Sequence, residues 1–118
     1  LCILVVDDNE DAAEMLAAAL RLHGCEVMVA HDGPQALNLA AGHSFGAALL
    51  DIGLPVMDGY ELAVRLRGMA SLQDAQMVAI TGYGQESDRE RALAAGFQQH
   101  LVKPVDIAAL DALVARLL

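Results

Sequence analysis

The stretch "LLDIGLPVMDG", residues 49–59, decides how this chain reads. Leu49 and Leu50 continue the run Gly46-Ala47-Ala48 as the centre of a buried strand would, yet Asp51 stops the run on a carboxylate. Gly53, Pro55, Asp58 and Gly59 follow, a cluster of turn formers that predicts a loop. A carboxylate at the end of a core strand loses hydration and stays ionised only beside a counter-charge or good hydrogen bonds. The partners of Asp51 must therefore come from elsewhere in the sequence.

Working outward, apolar runs of strand length recur on both sides. "CILVV" at 2–6 is the first, "CEVMVA" at 25–30 the second, 45–50 the third, "QMVAI" at 76–80 the fourth and "QHLV" at 99–102 the fifth. A helical pattern follows each. Asn9 offers an N-cap, with Glu10 and Asp11 in the first turn, where the helix dipole favours anions; Met15, Leu16, Ala19 and Leu20 share a face, and Gly24 stops the helix. Pro34 suits the first position of a second helix reaching about His43. Further helices are expected at 60–67, at 86–95 ending on Gly96, and from an Asp106 cap to Leu117. Strict strand–helix alternation predicts an α/β fold, a parallel sheet with helices on both faces, and the near-solid apolar strands fit burial on both sides.

The bulk composition narrows the classes. A chain of 118 residues is one domain with a single continuous core, and a hydrophobic share of 56% excludes disorder. No apolar run reaches the roughly 18 residues of a membrane span, so no membrane insertion is expected. The opening run 1–6 is too short for a signal-peptide core and has no basic residue before it. Sixteen acids against seven bases, with no basic run, argue against direct nucleic-acid binding. Cys2 and Cys25 fall inside the expected strands without CxxC spacing, which predicts reduced, buried thiols in a cytoplasmic protein. A chain that starts directly on a strand and ends on "ARLL" reads as a domain, 1–118, excised from something longer.

In open α/β sheets, ligands bind outside the carboxyl ends of the strands. Asp7 and Asp8 follow the first strand, Asp51 the third, Thr81 the fourth and Lys103 the fifth; the second contributes nothing obvious. Three crowded carboxylates repel one another, and a divalent cation removes the difficulty. Carboxylate oxygens plus retained water describe a Mg²⁺ site. Asp51 beside such a cation suits a nucleophile attacking phosphorus, Thr81 offers a hydroxyl to a phosphoryl oxygen, and Lys103 a point charge to another. Lys103 is the only lysine in the chain. Taken singly, Asp7-Asp8-Asn9 reads equally well as a turn and cap, Asp51 as a turn aspartate, Thr81 as a strand-end threonine and Lys103 as a solvated charge. Their convergence at the ends of four strands is what carries the functional reading. His100, inside the fifth strand, reads as a partly buried aromatic substitute or a packing histidine. His23, His31 and His43 read as helix-end or loop residues, and Leu54 and Met57 as caps on the core.

"VVDDNE", "LLDIGLPVMDGYEL", "AITGYG" and "HLVKPVD" together resemble the receiver (response-regulator) domain of two-component signalling across essentially the whole chain. The resemblance implies a flavodoxin-like (βα)5 sandwich with strand order 2-1-3-4-5. It implies that Asp51 is the phosphoacceptor and Asp8 the direct Mg²⁺ ligand. Asp7 would act through metal-bound water, the Gly53 carbonyl would complete the protein's share of the coordination, and Mn²⁺ could substitute. It makes Thr81 and Lys103 the pair that grips the phosphoryl group, and the Lys103–Pro104 peptide cis. Three positions stand out against the commonest pattern. His100 stands where many receivers carry a switching tyrosine or phenylalanine, and Gly53 and Tyr83 occupy sites that tune loss of the phosphoryl group.

The partners implied are a histidine kinase or a histidine phosphotransfer domain, with output or homodimerisation through the fourth helix, fifth strand and fifth helix. The stretch from Thr81 to Asp106 looks most like receivers fused to hybrid histidine kinases, whose parent chain can be membrane-anchored. Two other readings stand beside this one. A haloacid-dehalogenase-like phosphohydrolase also uses an aspartyl nucleophile, but expects a second aspartate where Gly53 stands and a cap domain for which there is no room. A docking module that is never phosphorylated would not need the acid trio.

Overall fold

The computed structural model describes residues 1–82, 89–103 and 105–117. Five strands, β1 (Cys2–Val6), β2 (Glu26–Ala30), β3 (Ala47–Asp51), β4 (Gln76–Thr81) and β5 (Gln99–Val102), alternate with helices α1 (Glu10–Leu22), α2 (Gly33–Gly42), α3 (Gly59–Arg67), α4 (Arg89–Ala95) and α5 (Ile107–Leu117). The sheet is parallel throughout, in the order β2-β1-β3-β4-β5. This is the flavodoxin-like arrangement expected from the sequence.

Strand alternation splits the core in two. Ile3, Val5, Ala47, Leu49, Val78 and Ile80 pack with α1 and α5 side chains such as Leu16, Leu20, Leu110 and Leu113. Leu4, Val6, Ala48, Leu50, Met77 and Ala79 face the other way, against Ala36, Ala40, Leu62, Leu66 and Phe97. The three central strands thus bury both faces, which is why they read as continuous apolar runs. The edge strands do not: β2 is partly exposed along most of its length, and His100 and Val102 of β5 face solvent. His100 is therefore an exposed residue rather than a partly buried or packing one. Successive side chains of β5 alternate between the two faces of the sheet, and His100 and Val102 share the face that is left uncovered at this edge.

The caps largely follow the sequence reading. The side chain of Asn9 accepts from the Ala12 amide, Asp32 from Gln35, Asp58 from Glu61 and Asp106 from Ala109. With Asp32 as the cap, Pro34 is the second helical residue rather than the first. Gly24 (φ 84°) and Gly96 (φ 103°) end α1 and α4 in the left-handed region. Cys25 lies just before β2, buried, while Cys2 is half-buried in β1. Both thiols are free, and burial together with the nearby Glu26 carboxylate pushes the Cys2 thiol up from its ordinary value. A 3-10 turn at Ala70–Leu72 has no counterpart in the sequence reading. The expected start of α4 at 86–88, Tyr83 and the Lys103–Pro104 peptide lie outside the described residues.

Candidate functional site

The carboxyl edge of the sheet gathers the residues that the chain keeps apart. Asp7 is 2% exposed and Asp51 7%, each at the end of a central strand, where apolar neighbours strip most of their water. Asp8, the next residue, is exposed to solvent. One carboxylate oxygen from each of Asp7, Asp8 and Asp51 lies within 4.8 Å of the others. Lys103, one residue beyond β5, reaches across β4 so that its Nζ stands 2.8 Å from Asp7 Oδ2 and 3.1 Å from Asp51 Oδ2. Partial burial alone would lower the lysine pKa, but hydrogen bonds and charge from Asp7 and Asp51 outweigh it and raise the value above its ordinary 10.5. The ammonium therefore stays charged at any physiological pH.

The loops hold the other carboxylate oxygen of Asp7 and of Asp51. The Asn9 amide donates to Asp7 Oδ1 (3.0 Å) and the Gly53 amide to Asp51 Oδ1 (2.9 Å). Gly53 is thus engaged with Asp51 through its N–H, whereas the resemblance concerned its carbonyl. Gly59 closes the same loop: its amide donates to the Ile52 carbonyl (3.2 Å), drawing the start of α3 against the backbone of Asp51 and Ile52. Thr81 is buried, and its hydroxyl donates to the Leu101 carbonyl over a long 3.4 Å. That hydroxyl is spent on β5 rather than on a carboxylate. The Thr81 carbonyl accepts from the Lys103 amide at 2.7 Å, which ties the end of β4 to the residue that delivers the ammonium.

The donor set fits a hard divalent cation. All the candidate ligand atoms are carboxylate oxygens, Asp8 leaves one side open to water, and a single ammonium leaves two formal negative charges among the three acids uncompensated. Lys103 already occupies part of that demand for positive charge. Among the described residues no sulfur or imidazole joins the trio, so the site does not have the make-up of a zinc centre.

Sequence reasoning passed over one residue of this edge. His31, directly after β2, turns its Nδ1 to the backbone carbonyl of Asp7 at 3.1 Å. The only signal available was positional: a polar residue immediately after the one strand that otherwise contributed nothing.

A family model described as "Response regulator receiver domain" matches residues 3–115. The transcriptional regulatory protein PrrA of Mycobacterium tuberculosis is 40% identical over 116 residues, which are 98% of this chain and 49% of PrrA. The chain thus spans about half the length of that relative. Among solved structures, the chemotaxis response regulator CheY4 of Vibrio cholerae superposes with a TM-score of 0.88 at 28% identity, covering 99% of this chain and 98% of the other. The receiver domain of sensor histidine kinase PA1611 from Pseudomonas aeruginosa, solved with a magnesium ion coordinated in its active-site cleft, gives 0.85 at 34% identity, covering 98% and 94%. A transcriptional regulator and a kinase-borne receiver both match, so the similarity does not single out a hybrid kinase as the parent chain. With the sheet order, the acid trio and the bridging lysine in place, the chain belongs to the response regulator receiver domains of two-component signalling.

Proposed function

We propose that Asp51 accepts a phosphoryl group from the phosphohistidine of a histidine kinase or a histidine phosphotransfer domain, with Asp7, Asp8, Asp51 and the Gly53 carbonyl serving a Mg²⁺ ion for which Mn²⁺ can substitute. The observation that carries this reading is the bridging of Asp7 and Asp51 by the Lys103 ammonium, with Asp8 at ligand distance. A bound divalent cation supplies charge neutralisation for the acids and the incoming phosphoryl oxygens. The chain's own residues do the rest. An Asp51 carboxylate oxygen forms the new P–O bond as the donor's P–N bond breaks, and the bonding pair stays on the donor imidazole. The Gly53 amide holds the other Asp51 oxygen and so orients the attack. Lys103 balances charge that builds on the phosphoryl group, and Thr81 turns its hydroxyl from Leu101 to a phosphoryl oxygen, drawing the β4 end inward.

The signal then passes to the face made by α4, β5 and α5, where Leu93, Val102 and Ile107 are exposed. Between α4 and β5 lies a groove of about 250 Å³ lined by Ala92, Leu93, Phe97 and His100 among others. His100 takes the place of the switching aromatic there, and a homodimer through this face is the arrangement we favour. The reduced thiols are in keeping with a cytoplasmic setting, and no helix among the described residues is long and apolar enough to cross a membrane.

Asp51→Asn tests the site. Incubation with radiolabelled acetyl phosphate and Mg²⁺ should label the wild type with a hydroxylamine-sensitive bond and leave the variant unlabelled. Label retained in the variant would remove Asp51 from its role. Undiminished labelling in excess chelator would remove the metal. The phosphohydrolase alternative predicts turnover of a phosphomonoester by the free chain, yet Gly53 offers no second carboxylate two residues beyond the nucleophile.

A further inference from the structure

The β1–β2 ladder ends on the pair Val6 and Ala30, with one further bond from the Asp7 amide to the Ala30 carbonyl (3.1 Å). The next acceptor in a parallel ladder is the Asp7 carbonyl, which needs a donor from the continuing second strand. No strand continues there, because the chain turns into α2 with Asp32 as the cap. In this register the donor would be the Asp32 amide, which the turn into α2 carries away, while the His31 amide points away from β1 and donates to Gln35 Oε1 at 3.0 Å. The imidazole takes over: His31 Nδ1 meets the Asp7 carbonyl at 3.1 Å. A carbonyl oxygen can only accept, so Nδ1 carries the proton and the ring is held in that tautomer.

This bond bears on the neighbouring acid. The Asp7 carbonyl belongs to the planar peptide unit that also contains the Asp8 amide, so fixing the oxygen fixes how Asp8 leaves the turn. Asp7 and Asp51 have their carboxylates held by Lys103 and by loop amides. Asp8 is exposed, and among the described residues its carboxylate has no hydrogen-bond or ion-pair partner. Its direction therefore depends on its backbone.

We propose that His31 is a positioning residue of the acidic pocket: by holding the Asp7 carbonyl it fixes the Asp7–Asp8 turn and keeps the exposed Asp8 carboxylate aimed at the cation position shared with Asp7 and Asp51. The role in cation binding rests on the metal reading given above; the ordering of the turn does not. The effect belongs to outer partners that orient a metal ligand without touching the metal.

The test compares His31→Phe, which keeps a ring and loses the donor, with His31→Asn, whose side-chain N–H occupies about the place of Nδ1. Mg²⁺ affinity is read by calorimetric titration, and backbone order at Asp8 by ¹⁵N relaxation in the metal-free protein. We expect the phenylalanine variant to bind Mg²⁺ about five- to tenfold more weakly and to loosen Asp8, with its unfolding midpoint little changed, and asparagine to recover most of both. Phenylalanine binding Mg²⁺ within twofold of wild type with Asp8 still ordered would overturn the proposal. So would asparagine failing to recover either quantity in a folded variant. If the phenylalanine variant does not fold, His31→Ala carries the same comparison. If wild-type protein binds no Mg²⁺, the metal reading fails, and the relaxation data alone decide whether His31 holds the turn.

Discussion

Two residues between the end of β3 and the first turn of α3 illustrate how a single side chain, or its absence, sets the geometry around Asp51. Gly59 sits so close to the preceding backbone that a Cβ would fall 2.5 Å from Ile52 Cα and 2.7 Å from the Asp51 carbonyl oxygen. Neither obstacle is the end of a flexible side chain, so the helix itself must retreat. Gly59→Ala should cost about 2–3 kcal/mol in urea denaturation and slow labelling of Asp51, since the loop that orients the carboxylate moves with α3. Val56 presents the opposite case. It holds φ at 69°, a conformation that β-branched residues resist, and it is 93% exposed, so it gains little from packing. Val56→Gly should stabilise the protein by about 0.5–1 kcal/mol, the relief of strain exceeding the entropy lost in ordering glycine. An unchanged or lower urea midpoint would show that the strain is not stored there.

Between elements, one arginine does what no strand pairing can. Arg67, in the last turn of α3, donates from Nη1 to the carbonyls of Leu72, Gln73 and Ala75 and from Nη2 to that of Gly96. Its guanidinium thus ties the 3-10 turn and the run into β4 to the end of α4. These carbonyls lie where regular pairing has stopped, so without Arg67 the part-buried carbonyls of Ala75 and Gly96 lose this donor, while that of Leu72 keeps the Ala75 amide. Arg67→Ala should lower stability by about 2–3 kcal/mol. Arg67→Lys should recover less than half, because an ammonium cannot span the separate acceptors that a planar fork reaches. Equal recovery by lysine in chemical denaturation would mean that charge, not the fork, matters. A second link joins α3 to α4: Asp58 caps α3 through Oδ1 and pairs through Oδ2 with Arg91 (3.2 Å), which also stacks 4.3 Å from the centre of the Tyr60 ring. This pair is exposed, and its contribution to stability is correspondingly small.

For the molecule as a whole, net charge and the acidic edge act together. A formal charge of −9 raises the cost of compaction, and three of the acids meet at one edge with a single ammonium between them. Specific binding of Mg²⁺ to the folded state should therefore raise the thermal midpoint beyond what ionic-strength-matched NaCl achieves. At a hundredfold excess over the dissociation constant the gain is about 2.7 kcal/mol. Asp51→Asn should reduce the Mg²⁺-specific part and leave the NaCl response intact. Identical responses to the two salts in the wild type would leave general screening as the sole effect.

The order of elements and the location of the site were legible in the linear chain for a physical reason. Central strands buried on both faces must be apolar along their whole length, so β1, β3 and β4 announce themselves, and polar residues at their ends stand out. Asp7, Asp8, Asp51 and Thr81 stand out in this way, and Lys103 stands out as the one lysine, placed after the edge strand β5. Other features leave no such trace. The acceptors of Arg67 are backbone carbonyls, which every residue possesses, and the turn at Ala70–Leu72 is too short for any periodicity to register. The exposure of His100 follows from β5 lying at the edge, and the bond from His31 to Asp7 from β2 ending where it does. The turn of the Thr81 hydroxyl toward Leu101 depends on how β4 and β5 align. Composition and pattern report which groups must leave water; which of them then touch is settled by packing, because contacts across many residues depend on distances that residue types do not encode.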